Sequence, residues 1–431
     1  MGAGRETGGG AVLDETGMNQ PAMRPGPVIV LFLSWLVAFN LRSGFVGLGP
    51  ALPDLTADLG LTFAQASILV AVPTLLMGLL AVPGGLMADR WGAVRTIALG
   101  TALVAIGGGA RALTLNFWLM TVITILFGAG IGLAQPSLPR LMRTRFPQRL
   151  GITTGVYASG LVCGAIVGAV LSALLLDQGG TEHAWRTPIV TWGVLAGIAA
   201  IIWCLVMRPW EAPSEPVHAH QVQQEVAGHW SPWKDPRAWI AAFIFAAQGM
   251  AYYLLIAWLP AVYSEGGANA AVTAALSGVF NASTLPGILL FPIWSDRIGQ
   301  RKLPVFTASA LFTIGVAGLM FAPMADPLRW VWPALAGAGV AGVFGMALVM
   351  PADLAPAGRT GTAAGMVLAI GYAGSALGPI VAGLVRDLTG SFDASLALLP
   401  IVGIAMTIAT FGTPEMPGRT RSATRAGRQV P

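Results

Sequence analysis

Residues 28–52 read VIVLFLSWLVAFNLRSGFVGLGPAL, an apolar run broken at its middle by Asn40, Leu41 and Arg42. Wound as a helix at about 1.5 Å per residue, it spans roughly 37 Å, enough to cross a bilayer with some tilt. Arg42 then sits near the hydrocarbon midplane. A guanidinium there costs at least about 2.5–3.5 kcal/mol, and arginine cannot escape the cost by losing its proton. Two settings compensate such a charge. Either Arg42 faces a cavity inside a helix bundle and binds an anionic or strongly polar solute, or it is structural, bonding backbone carbonyls or snorkelling outward.

The rest of the chain fits an all-α membrane protein. Of 431 residues, 55% are hydrophobic and 10% charged, with a mean hydropathy of +0.71, whereas soluble domains carry about 25% charged residues. A pI near 9.7 and a net charge of +5 could point to nucleic acid, but the basic residues are scattered through short loops between apolar runs. They report topology, and no nucleic-acid partner is expected. Cys163 and Cys204 lie in apolar segments without metal-ligand spacing, as small packing residues do, so neither a metal nor a cofactor is expected. Residues 1–26 are Gly-rich and contain Glu6, Asp14 and Glu15. They read as a disordered cytoplasmic tail, unlike a signal peptide, and Glu6 stands where a myristoylation motif wants Ser or Thr.

Runs long enough to span a bilayer fall at 28–52, 64–87, 96–113, 117–137, 151–176 and 187–208, then at 237–262, 273–294, 303–323, 329–350, 360–386 and 393–412. Numbered as spans 1 to 12, they place both termini on one side. Taking that side as cytoplasm puts 19 of the 24 basic residues inside, Arg140, Arg143, Arg145 and Arg149 among them. Only Arg111, Arg186, Arg329 and Arg386 fall outside, with Arg42 in the membrane. The bias predicts cytoplasmic termini in a cell (inner) membrane. The expected organisation is a six-helix bundle over 27–208, a cytoplasmic linker over 209–236, a second bundle over 237–412 and a basic cytoplasmic tail over 413–431. His218, His220 and His229 all fall in the linker, where their irregular spacing suits a solvated loop.

The two halves repeat each other. Leu52-Pro53, Asp89-Arg90 and Gly92 recur as Leu259-Pro260, Asp296-Arg297 and Gly299 at one constant shift. After a short slip, Gly155, Gly164, Gly168 and Asp177 recur as Gly365, Gly374, Gly378 and Asp387. Such a repeat predicts two pseudo-symmetric bundles related by an axis along the membrane normal, with a solute site at their interface near midplane.

The loop Gly85-Leu-Met-Ala-Asp89-Arg90-Trp-Gly92-Ala-Val-Arg95 and its degraded copy Ser295-Asp296-Arg297-Ile-Gly299-Gln-Arg301-Lys302 resemble the cytoplasmic signature of the major facilitator superfamily. The resemblance implies that superfamily's twelve-helix fold and a conformational switch at Asp89, Arg90, Gly92, Asp296, Arg297 and Gly299, whose charges can hold neighbouring helices in one arrangement and release them in another. Within it the chain is most similar to the cyanate and 2-nitroimidazole transporters. Asn40-Leu41-Arg42 with Gly49-Pro50, Gly130-Ile-Gly132-Leu-Ala-Gln135-Pro, Thr154-Gly155-Val-Tyr157, Gln248-Gly-Met-Ala-Tyr252-Tyr253, Gly371-Tyr372 and Leu377-Gly378-Pro379 carry this similarity across residues 30–412. Gln135 stands where that family often has Asn, and Arg140, Arg143 and Arg145 follow where it has Lys. Nitrate porters resemble a pattern with an Arg in spans 2 and 8, which is absent here.

In that superfamily spans 1, 4, 7 and 10, with 2, 5, 8 and 11, line the cavity. Gln248 and Tyr252 lie four apart in span 7 and share a helix face. The repeat sets Arg42 against Gly249, so that face is expected either to look across the pocket at the guanidinium, with Tyr253 beside it, or to form packing bonds between helices. Asn40 points elsewhere, to ligand or to an interhelical bond. Gln135, Tyr157, Asn281, Tyr372 and Ser375 complete the candidate set. No Asp, Glu, Lys or His falls mid-span, so coupling through a protein carboxylate is disfavoured. Uniport, anion exchange, and entry of solute together with a proton stay open. The expected activity is transport of a small anion or polar planar solute, such as a cyanate-like ion, a carboxylate or a nitro-heterocycle, by alternating access in a monomer embedded in lipid. An organic anion/proton symporter, a small-molecule efflux antiporter and a non-transporting membrane sensor are the alternatives. No nucleophile with a base and no phosphate loop is visible, so an enzyme is not expected.

Overall fold

A computed structural model describes residues 26–179, 183–207, 230–321, 327–356 and 360–413. The expected tails over 1–26 and 413–431 and the linker over 209–236 fall almost wholly outside the described residues, the three linker histidines included. Span 1 is a pair of helices, Pro27–Val46 and Leu48–Asp58, and span 2 is another, Phe63–Leu79 and Ala81–Trp91, bent by 53°. Spans 3 to 6 are Ala93–Ala110, Phe117–Arg145, Leu150–Gly179 and Arg186–Met207. Spans 7 to 12 are Pro236–Glu265, Ala270–Ile298, Lys302–Phe321, Val331–Leu354, Thr360–Thr389 and Asp393–Ala409.

These runs are helical because hydrocarbon offers the backbone no hydrogen-bond partner but itself. Most helices extend beyond the apolar runs, since hydropathy marks the bilayer while the hydrogen-bond ladder continues into polar surroundings. Several start at side-chain caps. Thr62 and Gln65 form a capping box at span 2, Asn116 accepts from the Leu119 N–H, Asn269 from Val272 and Asp235 from Arg237. Arg237 also grips the Asp235 carboxylate at 2.9 Å, holding its pKa below the usual carboxylate range.

The sequence repeat is also a repeat of contacts. Gly164 packs on the backbone of Phe39 in span 1, and its counterpart Gly374 packs on Ala246 in span 7; Gly168 meets Ser43, and Gly378 meets Met250. Small residues at these positions let spans 1 and 5, and spans 7 and 11, approach backbone to backbone. The fold is thus twelve membrane helices in two pseudo-symmetric six-helix bundles.

Twelve crossings put the start of span 1 and the end of span 12 on one face of the molecule, here the termini face; the other is the far face. The halves meet from midplane to the far face through spans 1 and 7, 2 and 11, and 5 and 8. Gly49 abuts the Ile256 carbonyl, its own repeat counterpart, so the pseudo-twofold axis passes between them. Trp258 Nε1 donates to Ser67 Oγ at 3.1 Å. At the rim the Asp387 carboxylate of span 11 accepts the Phe63 and Ala64 N–H groups of span 2, each at 2.8 Å. Towards the termini face, spans 4 and 10 have their main interfaces within their own halves. There Gly155 and Gly365, another repeat pair, both look into open space. The two halves are therefore joined on the far face and parted on the termini face.

Candidate functional site

Arg42 stands near midplane, at the seam between the two halves. Its Nη2 donates to Tyr252 Oη at 2.9 Å, and the Tyr253 hydroxyl lies within reach of the same guanidinium. The rings of Phe45, Tyr252 and Tyr253 surround the cation with their centroids 5.7, 5.3 and 5.7 Å away. Aromatic faces stabilise a desolvated cation by about 2 kcal/mol each, which offsets its desolvation but supplies no countercharge. No carboxylate pairs with it among the described residues. Arg42 is also only half-buried.

Span 7 brings two of the named tyrosines to this point, and span 11 adds Tyr372, which lies close to Tyr253 and bonds the side chain of Gln135 from span 4. Phe280 of span 8 stacks on Tyr252 at 6.0 Å. Arg42, Tyr252, Tyr253, Tyr372 and Gln135 are thus drawn from both halves into one cluster. Gln248, one turn from Tyr252, is buried on the same helix.

The other candidates lie apart from the guanidinium. Asn40 donates to the Leu36 carbonyl of its own helix at 2.8 Å, while its Oδ1 is buried without a hydrogen-bond partner among the described residues. Ser375 donates to Gly371 and packs against Gly249, a contact between spans 7 and 11. Asn281 donates to the Ser277 carbonyl at 2.9 Å, next to Phe280 on span 8. Tyr157 is half-buried and faces Arg143 near the termini face.

Sequence reading put Arg42 as the one charge within the membrane, and the structure corrects this. Arg111, counted among the far-face loop residues, is 1% exposed. Its guanidinium lies 4.0 Å from the Phe127 ring centroid and near the Gly44 carbonyl, wholly inside the first half. A polarity count cannot find it, because its burial comes from residues of spans 1 and 4.

At the termini face, Asp89 pairs with Arg140, tying the turn after span 2 to span 4. Gly92 and Gly299 take positive φ, 92° and 68°, where a side chain would be strained. In the second half the cation of the cluster is Arg301, which bonds Asp296 and Asp353 at 2.7 Å each, while Arg90 and Arg297 are exposed. Both ion clusters brace their own half. Among the described residues no His, Cys, Asp or Glu set converges to hold a metal, and both cysteines are free.

Comparison with known proteins agrees with this architecture. The family model described as Major Facilitator Superfamily matches residues 30–379 and 249–430. The cyanate transport protein CynX of Escherichia coli (strain K12) is 28% identical over 392 residues, covering 90% of this chain and 98% of that protein. The 2-nitroimidazole transporter of the same organism is 25% identical over 374 residues, covering 86% and 92%. A bacterial homologue of the human lysosomal transporter Spinster, solved inward-facing and unoccupied, superposes with a TM-score of 0.73 at 17% identity, covering 89% of this chain and 97% of that one. With the family matched over most of its length and the fold shared, the chain belongs to the Major Facilitator Superfamily and is a multi-pass membrane transporter.

Proposed function

We propose that the protein carries a small anion or polar planar solute across the inner membrane by alternating access, with Arg42 as its main binding charge. The termini face is cytoplasmic on this reading, as the basic residues ask, and the structure corresponds to a state open to the cytoplasm. The observation that carries the proposal is the setting of Arg42: a half-buried midplane cation between the halves, hydrogen-bonded to a phenol and without a carboxylate partner among the described residues. A cyanate-like, carboxylate or nitro group offers two acceptor atoms to the guanidinium fork, and Tyr252, Tyr253 and Tyr372 present hydroxyls and ring faces to a flat solute. The similarity to cyanate and 2-nitroimidazole transporters supports the same size class. Among the described residues no carboxylate lies beside Arg42, which favours a proton travelling on the solute itself where one moves with it.

The test is uptake of cyanate and of 2-nitroimidazole into proteoliposomes by wild type, Arg42→Lys and Arg42→Ala. Losing one charge-assisted bond of the fork weakens binding by about 10- to 150-fold. Arg42→Lys is therefore expected to raise the half-saturating concentration by that order, and Arg42→Ala to abolish saturable uptake. Undiminished uptake by Arg42→Ala would refute the assignment.

A further inference from the structure

We infer that one face of span 8, carrying Thr273, Ser277 and Asn281, is the wall along which solute passes between the far face and Arg42, a transient site for a partly hydrated small anion. These residues are spaced i, i+4, i+8 and so lie one above another on the helix. They are only 4%, 4% and 3% exposed. Yet Thr273 Oγ1, Ser277 Oγ and Asn281 Oδ1 have no hydrogen-bond partner among the described residues. Buried polar atoms are normally paired, so three orphans in a row on one face need a reason.

The spaces beside them supply it. Thr273 lines a far-face vestibule of about 760 Å³, between Pro53 and Pro260. Ser277 and Asn281 line a smaller void of about 10 Å³ at Pro50, Pro260 and Phe280, the size of one water. Pro50 and Pro260 border both cavities, so the second continues the first inward. It ends at Phe280, whose ring stacks on Tyr252, the partner of Arg42. The three side chains thus mark a track from vestibule to binding charge, pinched shut in this state.

Their chemistry suits an anion with its water. The hydroxyls of Thr273 and Ser277 can each donate to a passing oxygen. The Asn281 amide N–H already serves the Ser277 carbonyl, so its free Oδ1 can only accept, as from a hydration water. Nor is the ladder a relic of the repeat. The corresponding residues of span 2 are Ala66, Val70 and Thr74; the first two are apolar, and Thr74 is satisfied by the Val70 carbonyl. Orphaned here, the groups regain partners when the far face opens and water enters, which favours the open state.

The inference rests on the transporter reading, but its test uses a thiol reagent and no solute, so it can fail separately from the Arg42 assignment. In a C163S/C204S background, S277C, N281C and T273C are treated with a membrane-impermeant methanethiosulfonate on either side of sealed vesicles. G155C marks the termini face, and L276C, fully buried on another face of span 8, is the unreactive control. Because S277C is nearly isosteric, it decides the matter should T273C or N281C fold poorly. Expected is modification of all three from the side opposite to G155C. Adding S277A to N281C removes one orphan and slows its modification about fivefold, as the closed state gains. Modification of S277C from the G155C side, or no more than L276C shows, would overturn the inference. So would an S277A addition that leaves the N281C rate unchanged or raises it.

Discussion

Asp387→Asn should open the far face. In the closed arrangement both carboxylate oxygens accept backbone N–H groups at the start of span 2, at 2.8 Å each, and the charge faces the positive end of that helix. Asparagine keeps the shape but offers one acceptor and turns an N–H₂ group towards the second donor. Charge-assisted bonds of this kind contribute about 1.5–3 kcal/mol each where shielded, and Asp387 is exposed at the rim, which puts the pair near 2 kcal/mol in all. That is roughly thirtyfold in a two-state equilibrium. The neighbouring ion pair provides the control. Arg386 bonds Glu265 at 2.9 Å, but both belong to the second half, so the pair persists whichever face is open. Glu265→Gln should leave the equilibrium near that of wild type. Electron-spin distance measurements between labels on the outer ends of spans 2 and 11 read the populations directly. An unchanged distance distribution in Asp387→Asn, or an equal shift in Glu265→Gln, would refute the latch.

Two further outcomes concern stability, read as thermal unfolding in detergent. Gly164→Val drives a side chain into the backbone of Phe39 and should cost at least about 1–3 kcal/mol, whereas Gly155→Val, facing open space, should melt close to wild type; equal melting would discount backbone-to-backbone packing of spans 1 and 5. Asp353→Asn leaves the buried Arg301 guanidinium with the Ser295 hydroxyl and, as its one carboxylate among the described residues, the exposed Asp296, and should cost about 3 kcal/mol. Asp296→Asn, at a side chain 67% exposed, should cost no more than about 1 kcal/mol, and a reversed order would place the anchor of that cluster at Asp296.

The spans were legible because hydrocarbon enforces a simple rule on the backbone, and the repeat was legible because matched glycines serve matched close approaches. What escaped reading depends on neighbours from other spans. The break at Gly47 lies within the apolar stretch that follows Arg42. A side chain there would strike Ser172 and Trp192, so the approach of spans 5 and 6, not local polarity, fixes a glycine at that point. Arg301 was overshadowed by Arg297, which sits beside Asp296 in sequence but points away; the left-handed turn at Gly299 is what swings Arg301 back onto the carboxylate. Asp387 stood out only as the partner of Asp177, and its latch onto span 2 requires the two halves to be brought together. The Arg42 cluster was legible in part: helix periodicity joined Gln248 to Tyr252, while Asn40, Asn281 and Ser375 proved to satisfy backbone carbonyls one turn back in their own helices.

Arg42, proposed above as the binding charge, and Arg111 differ in how they are held. Both lack a carboxylate partner among the described residues, and both lean on aromatic rings. Arg111 is enclosed by residues of one half, so a rigid-body movement of that half carries its whole surroundings along and its energy is the same in either state. Arg42 belongs to the first half and its hydroxyl partner Tyr252 to the second. If the halves rock as proposed, that bond stretches, and a cation left without it near midplane is costly. A solute that bridges Arg42 and Tyr252 through its own acceptors would lengthen the span over which the two stay joined, lowering the barrier for the loaded carrier more than for the empty one. Tyr252→Phe should therefore permit movement of the empty carrier, read as solute-independent exposure of the two faces in turn, while weakening the dependence of that movement on solute.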